Sequence, residues 1–172
     1  MKRILLDCSK YQLSNGYSVC IIEILGGVDS SNDYTLYRRM AEMINEGMMF
    51  FLLDFSKVAY IDSTRLGFLI KLIDDGIKIK FVGFSERYFD LLEMLGLTQL
   101  FKCYKDKEDA LSAFLRDGEF LESKKIKKID LALLDKHRKL WEQQRKKENI
   151  VGIVVVVTMF LLFILYAIAS SS

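Results

Sequence analysis

The sequence predicts an α/β domain, with helices packed on a mixed, mainly parallel β-sheet, followed by a membrane-spanning helix. Through residues 1–118, short apolar and β-branched runs alternate with amphipathic runs. This alternation is typical of strands joined by helical crossovers. Residues 150–169 then form an uninterrupted stretch without a charged side chain. Twenty helical residues rise about 30 Å, which matches the hydrocarbon core of a bilayer.

Five strands and four helices are predicted in order. The strands are residues 4–6, 17–25, 49–54, 78–82 and 100–104, each rich in apolar side chains, and Asn15-Gly16 marks the turn before the second. Residues 26–33 are predicted as a loop because they are rich in glycine, serine and acidic residues. The helices are residues 34–45, 64–73, 86–95 and 107–115, the first three closed by a nearby glycine.

The chain is predicted to contain three segments: a domain of residues 1–118, a basic juxtamembrane helical stalk of residues 119–149, and a transmembrane helix of residues 150–169. Residues 122–148 hold ten of the 25 Lys and Arg residues but five of the 23 Asp and Glu residues. Only three serines follow the apolar stretch, so the positive-inside rule predicts a single-pass protein with its N-terminal domain in the cytoplasm. The stalk and anchor are expected to contact membrane lipid.

The apolar residues of the stalk recur at helical spacing and leave three alternatives open. They are a coiled-coil seam, a helix lying on the membrane surface, and a plain helical stalk. Lys136 interrupts the seam, which favours a stalk with weak self-association at most.

Charge and motif content narrow the function. Outside the basic segment the chain is slightly acidic, unlike the basic surface of a nucleic-acid-binding protein, so no direct contact with nucleic acid is expected. The sequence contains no Gly-x-x-x-x-Gly-Lys, Gly-x-Gly-x-x-Gly or Cys-x-x-Cys motif. The single histidine, His137, lies among basic residues and is expected to be solvated. We therefore expect no enzyme, catalytic residue, metal or cofactor, and we interpret the three cysteines as reduced packing residues.

Asp62, Ser63 and Thr64 follow the third strand and begin the second predicted helix. Unpaired amides and the positive end of the helix dipole favour an anion at such a position. A phosphate on Ser63 would therefore be stabilised at this helix start. The alternative is that these side chains only cap the helix, a role that contributes about 1 kcal/mol.

The order of motifs resembles the STAS family, the domain of sulfate transporters and anti-sigma factor antagonists. The string Asp-Ser-Thr-x-Leu-Gly at residues 62–67 is similar to the family signature, and residues 26–29 are similar to the turn after its second strand. Residues 81–85, with Phe84 and Ser85, and the leucine-rich run at 91–97 resemble the strand, loop and helix before its last strand. The likeness extends from about residue 17 to residue 115.

The resemblance implies a binding module that is switched by phosphorylation. In anti-sigma factor antagonists the serine after the aspartate is phosphorylated, which by position is Ser63, with Thr64 as a secondary candidate. The implied partner is a serine kinase of the histidine-kinase-like ATPase fold that is also an anti-sigma factor, and a serine phosphatase reverses the modification. The implied role is indirect regulation of transcription from the inner membrane of a bacterium.

Loops that follow parallel strands gather at one edge of a sheet. We therefore expect Asp29, Asp62, Ser63 and the Phe84-Ser85 turn to lie close together and to bind the partner. Arg65 stands where the family usually has glycine, and its guanidinium is suited to hold a phosphate on Ser63 or to pair with either aspartate.

Arg65 and the predicted anchor also favour an alternative function. Antagonists of the family are usually soluble and carry glycine at this position. The alternative is a STAS subunit of a membrane transport or lipid-trafficking assembly in which Ser63 is never phosphorylated.

Overall fold

The structure is a computed structural model that describes residues 4–28, 33–61, 67–117, 128–133, 135–136 and 139. The predicted site residues Asp29, Asp62, Ser63, Thr64 and Arg65 lie outside the described residues, as does the predicted membrane helix at 150–169. Within the described part of the chain, no helix is long and apolar enough to cross a membrane. The chain divides into two compact units, Met1–Ile129 and Asp130–Ser172.

The first unit is built on a five-stranded sheet with the strand order β1-β2-β3-β4-β5. Its strands are β1 (Leu5–Gln12), β2 (Ser18–Val28), β3 (Phe50–Ile61), β4 (Lys78–Val82) and β5 (Cys103–Tyr104). Its helices are α1 (Asp33–Asn45), α2 (Gly67–Asp74), α3 (Glu86–Met94) and α4 (Lys107–Asp117). β1 is antiparallel to β2, and the other neighbouring strands are parallel. The predicted mixed, mainly parallel α/β fold is therefore confirmed.

The central strands of the sheet are buried on both faces, because their successive side chains point to opposite faces and are apolar on both. Phe51 and Leu53 of β3 belong to the larger core cluster, which includes residues of α1, α2 and α3. Phe50 and Leu52 belong to a smaller cluster with residues of α4, where the rings of Phe50 and Phe114 meet edge to face with centroids 5.6 Å apart. Helices thus cover both faces of the parallel part.

β2 and β3 are longer than the sequence predicts. β2 continues to Val28 and β3 to Ile61, whereas their predicted ends are residues 25 and 54. Beyond Asp54, where pairing of β3 with β4 ends, β2 and β3 still pair with each other through residues 25–28 and 57–61, a stretch that we call the ribbon. The pairing register shifts twice along the ribbon, and at each shift β3 has one residue more than β2. Such bulges bend a strand and increase its twist.

β1 and β5 also differ from the prediction, since β1 extends to Gln12 and β5 is only two residues long. The described part of α2 begins at Gly67. Residues 64–66, where that helix was predicted to begin, lie outside the described residues.

The second unit contains a capped helical turn. Residues 131–133 are helical, and Asp130 precedes them. The Oδ1 atom of Asp130 accepts hydrogen bonds from the N–H groups of Ala132 at 2.9 Å and Leu133 at 3.1 Å. This is the pattern of a helix N-cap, which satisfies amides that have no partner within the helix.

Candidate functional site

The carboxyl ends of β2, β3 and β4 meet at one edge of the sheet. We call this the carboxyl edge and define it by residues 27–28, 60–61 and 83–88. Val28 pairs with Ile61 at the end of the ribbon, so the residues that precede Asp29 and Asp62 are neighbours. Of the predicted site residues, Phe84 and Ser85 lie at this edge, and the other five lie outside the described residues.

Phe84 packs against the base of the ribbon. Its half-buried ring stacks on Phe55 with centroids 4.6 Å apart, and lies 5.7 Å from the ring of Phe81. Gly83 precedes it with φ +75°, and a Cβ there would collide with the backbone and hydroxyl of Ser56. A side chain at residue 83 would therefore push the turn away from β3, so glycine keeps Phe84 in its stack.

Ser85 begins α3, and Tyr88 joins this helix to the ribbon. The carbonyl of Ser85 accepts hydrogen bonds from the N–H groups of Tyr88 at 2.9 Å and Phe89 at 3.0 Å, while its exposed side chain makes no capping bond. The Tyr88 hydroxyl accepts a hydrogen bond of 2.9 Å from the Ile61 N–H. The last residue of β3 is thereby fixed to the first turn of α3.

Sequence reasoning did not identify Tyr88. The tyrosine hydroxyl accepts a hydrogen bond from a backbone amide 27 positions away, and no local sequence pattern indicates which amide this is. Its position in the first turn of a helix that follows the Phe84-Ser85 loop was the only available signal.

A charged cluster of Glu23, Asp54, Lys57 and Lys107 lies where the ribbon leaves the sheet. The Lys107 Nζ atom is 2.6 Å from Glu23 Oε1 and 3.0 Å from Asp54 Oδ2. Lys57 Nζ contacts the other Glu23 oxygen at 3.1 Å. Asp54 is only 7% exposed, and its Oδ1 also accepts a hydrogen bond of 2.9 Å from the Ser56 N–H. Two acids and two lysines are thus paired with one another.

The pKa values of this cluster are shifted toward the charged forms. The hydrogen bond from Lys107, and then that from Lys57, lowers the pKa of Glu23. Burial opposes ionisation of Asp54, but hydrogen bonds from Ser56 and Lys107 outweigh it and lower its pKa. The hydrogen bond to Glu23 raises the pKa of Lys107 despite partial burial. All three groups are therefore charged at neutral pH, and the cluster fixes the base of the ribbon.

A separate cleft of about 300 Å³ lies beside the amino-terminal end of β4. It is lined by Ile73, Ile77, Lys78, Ile79, Lys80, Gln99, Leu100 and Lys102. Lys80 is 2% exposed, and its Nζ donates to the Tyr104 hydroxyl at 3.1 Å and lies 4.8 Å from the ring centre of Phe114. Because Lys78 begins β4, this cleft is remote from the carboxyl edge. Among the residues described, no three His, Cys, Asp or Glu side chains are grouped as a metal site.

The chain is similar to known proteins in sequence and in fold. The STAS domain family model matches residues 10–110. The fold is similar to a putative anti-sigma factor antagonist of Thermotoga maritima, with 20% identity and a TM-score of 0.50 over 62% of this chain and 92% of that chain. An anti-sigma factor antagonist of Mycobacterium paratuberculosis gives 16% identity and a TM-score of 0.49 over 63% and 93% of the two chains. The STAS domain of a SulP transporter of Vibrio cholerae is 23% identical in sequence, with a TM-score of 0.41 over 60% of this chain and 84% of that chain. No curated protein sequence matches the chain.

Proposed function

This chain belongs to the STAS domain family, and from that membership we propose that it is a phosphorylation-switched binding module of the anti-sigma factor antagonist type. The observation that carries the proposal is the Asp62-Ser63-Thr64 string, which begins immediately after Ile61, the last residue of β3. In the STAS family members that it resembles, this serine is the phosphoacceptor. We therefore propose Ser63 as the phosphorylated residue and Thr64 as a secondary one.

The proposed switch acts through charge. A phosphate on Ser63 adds up to two negative charges next to Asp62, which repel an acidic partner and make desolvation of the surface more costly. The unmodified protein binds a serine kinase of the histidine-kinase-like ATPase fold that also acts as an anti-sigma factor. Phosphorylation weakens this complex, and a serine phosphatase restores it. Arg65 binds the phosphate in the phosphorylated protein and pairs with Asp62 or Asp29 in the unmodified protein.

The proposed docking surface is the carboxyl edge together with the exposed start of α3. Tyr60 in the ribbon and Phe89 in α3 are 39% and 43% exposed. Aromatic side chains are enriched in interfaces because they bury a large area with few rotatable bonds. Ser85, which is exposed and immediately precedes α3, adds a hydroxyl to this surface. We propose that these residues contact the partner in addition to Asp29, Asp62, Arg65 and Phe84.

The proposed location is the inner membrane of a bacterium, with the STAS domain in the cytoplasm and residues 150–169 as a single anchor. Two features of the sequence support it: the uncharged twenty-residue stretch and the basic segment that precedes it. Each Lys or Arg near an anionic lipid surface contributes about 1 kcal/mol of attraction.

A second candidate function is a STAS subunit of a membrane transport or lipid-trafficking assembly. Arg65 favours it, because it replaces the glycine that the family usually has beside the phosphoacceptor. The predicted anchor favours it as well. In this case Ser63 remains unmodified and the carboxyl edge is a permanent interface.

The two functions are separated by comparing the partners of charge variants. Full-length wild type, Ser63→Ala and Ser63→Asp are purified from detergent-solubilised membranes, and bound proteins are quantified. We expect Ser63→Ala to retain the kinase and Ser63→Asp to bind it about tenfold more weakly, which corresponds to roughly 1.4 kcal/mol of repulsion. Ser112→Asp is the matched control, because Ser112 is an exposed serine on α4. Equal retention of the same partners by Ser63→Ala and Ser63→Asp would exclude the switch and favour the assembly subunit.

A further inference from the structure

β1 is an edge strand of the sheet and is open on its outer side. In the described part of the chain it pairs only with β2, over Leu5–Gln12 and without a shift of register. Alternate N–H and C=O groups of an edge strand point outward and are available to a further strand. Proteins usually protect such an edge with a proline, a bulge or a very short strand. β1 has none of these, because it is eight residues long, contains no proline and pairs with β2 without a bulge.

One face of β1 is uncovered. Alternate side chains of a strand share a face, and on this face all of them are exposed: Leu5, Asp7, Ser9 and Tyr11. On the other face Leu6 and Cys8 are partly buried against the larger core cluster. Leu5 is 61% exposed and Tyr11 is 48% exposed. Two large apolar side chains thus lie exposed near the two ends of an open edge strand.

The charges of β1 restrict how this strand can pair with a second copy of itself. Opposing residues of an antiparallel pair lie on the same face, so a two-fold axis between two copies passes through one residue, which then lies opposite its own copy. An axis at Asp7 or at Lys10 places like charges opposite each other, which is destabilising. An axis at Ser9 leaves Leu5 with no opposite residue in β1. An axis closer to either end pairs only a short part of the strand.

An axis at Cys8 is the register in which β1 is complementary to itself. It pairs the strand with its copy from Leu5 to Tyr11. Each Leu5 then lies opposite Tyr11 of the other copy, so the two exposed apolar side chains cover each other at both ends of the interface. No charged residue lies opposite a like charge in this register.

We propose that β1 is a docking surface for a second copy of this chain, with which it forms a symmetric antiparallel extension of the sheet centred on Cys8. The two five-stranded sheets then become one continuous sheet. The carboxyl edges of the two copies point in opposite directions, because the axis reverses the strands, and neither edge includes a residue of β1. A single strand edge buries less area than a standard interface, so we expect a weak dimer that forms at about 50 µM.

The dimer is tested by sedimentation of the full-length protein in detergent micelles over chain concentrations from about 1 µM to about 1 mM, a range that brackets the expected dissociation constant. We expect the mass of wild type to rise from one chain to two. Leu5→Lys and Tyr11→Lys should each weaken the dimer at least tenfold, because they replace an apolar pair at both ends of the interface with a desolvated charge. A wild-type protein that stays a single chain throughout would overturn the proposal.

Met94→Lys is the matched control, because Met94 is 79% exposed on α3 and lies outside β1. It should leave the dimer as tight as in wild type. Dimers of Leu5→Lys and Tyr11→Lys that are as tight as the Met94→Lys dimer would place self-association elsewhere in the chain and would also overturn the proposal.

The register is tested by disulfide cross-linking with copper phenanthroline in a Cys103→Ser background, where Cys20 is fully buried. Opposing residues of an antiparallel pair have Cα atoms about 4.5 to 5.5 Å apart, within the range of a disulfide. We therefore expect Cys8 to cross-link two chains. The control combines Cys8→Ser with Ser9→Cys and moves the thiol one residue along, where the axis at Cys8 places the two Cα atoms about 8 Å apart.

The control thiol should cross-link at least fivefold more slowly than Cys8, because a disulfide needs Cα atoms closer than about 7 Å. Equal rates, or faster cross-linking at residue 9, would overturn the register. A dimer in sedimentation whose Cys8 does not cross-link would overturn the pairing of β1 with its copy.

Discussion

Lys107 is the cation that pairs with the buried carboxylate of Asp54. Its Nζ bridges Asp54 of β3 and Glu23 of β2. Lys107→Met leaves the Asp54 carboxylate, which is 7% exposed, with the Ser56 N–H as its main partner. We expect a loss of about 2 kcal/mol in the free energy of unfolding, because an underpaired buried charge is destabilising. Urea denaturation followed by circular dichroism measures it.

Lys105→Met is the control for this substitution, because Lys105 is an exposed lysine two positions earlier. It should change stability by less than about 0.5 kcal/mol. Equal stability of Lys107→Met and Lys105→Met would show that the bridge contributes nothing measurable.

The same cluster predicts how stability depends on pH. The folded-state pKa values of Glu23 and Asp54 lie below their ordinary values, so their stabilisation is complete at neutral pH and is lost as the pH falls below about 4. The folded-state pKa of Lys107 is raised, so its contribution to stability is present below about pH 10 and is lost at higher pH. Unfolding measured from pH 7 to pH 3 should therefore show a smaller decrease for Lys107→Met than for wild type. Parallel curves would contradict this account.

The β2–β3 ribbon is the element that the sequence predicts least well. β4 begins and ends where expected, because glycines at 76 and 83 bound a short apolar run. The ribbon has no such signal: Gly26 and Gly27 indicate a loop, and the later part of β3 is mostly exposed. Residue 27 is a glycine within a strand because the Tyr60 ring occupies the space where a Cβ would be. That requirement comes from a residue on another strand, which periodicity cannot show.

The position of the Phe84-Ser85 turn was predictable because it depends on where a strand ends. The loop after β4 was placed correctly, so Phe84 and Ser85 lie at the carboxyl edge. The contacts that organise this edge join residues far apart in sequence, as the stack of Phe84 on Phe55 does. Such contacts depend on the final packing, and a single sequence does not record them.

The bond between Tyr88 and Ile61 predicts how firmly the ribbon is held to α3. Tyr88→Phe removes the hydroxyl that accepts from the Ile61 N–H. We expect faster hydrogen exchange at the Ile61 amide. We also expect the free energy of unfolding to fall by about 1 kcal/mol, the usual contribution of one hydrogen bond. Tyr11→Phe is the control, because Tyr11 is 48% exposed on the edge strand β1. Unchanged exchange at Ile61 in Tyr88→Phe would contradict the contact.

At the scale of the whole molecule, the alternation of strands and helices was sufficient to predict the α/β class. It did not predict the two hydrogen bonds between the Asn45 side chain and the backbone of Ile129, which lies 84 positions later. Asparagine at the end of a helix indicates only a cap.

The proposed anchor predicts how the protein partitions. The full-length chain should remain with membranes through alkaline and high-salt washes and be released only by detergent, because the proposed helix of twenty apolar residues would be about 30 Å long, enough to span the hydrocarbon core. Deletion of residues 150–169 should release it into the soluble fraction at the first wash. A deletion variant that still requires detergent would contradict a single C-terminal anchor.

Phosphorylation of Ser63 is the step on which the proposed function depends. The most direct measurement is the intact mass of the full-length protein from membranes of its own cells, with fragmentation to locate any modification. We expect a population heavier by one phosphoryl group, with the phosphate on Ser63 and absent from Ser63→Ala. A protein that is unmodified under both growth and stress, in samples where other serine phosphoproteins keep their phosphate, would contradict it.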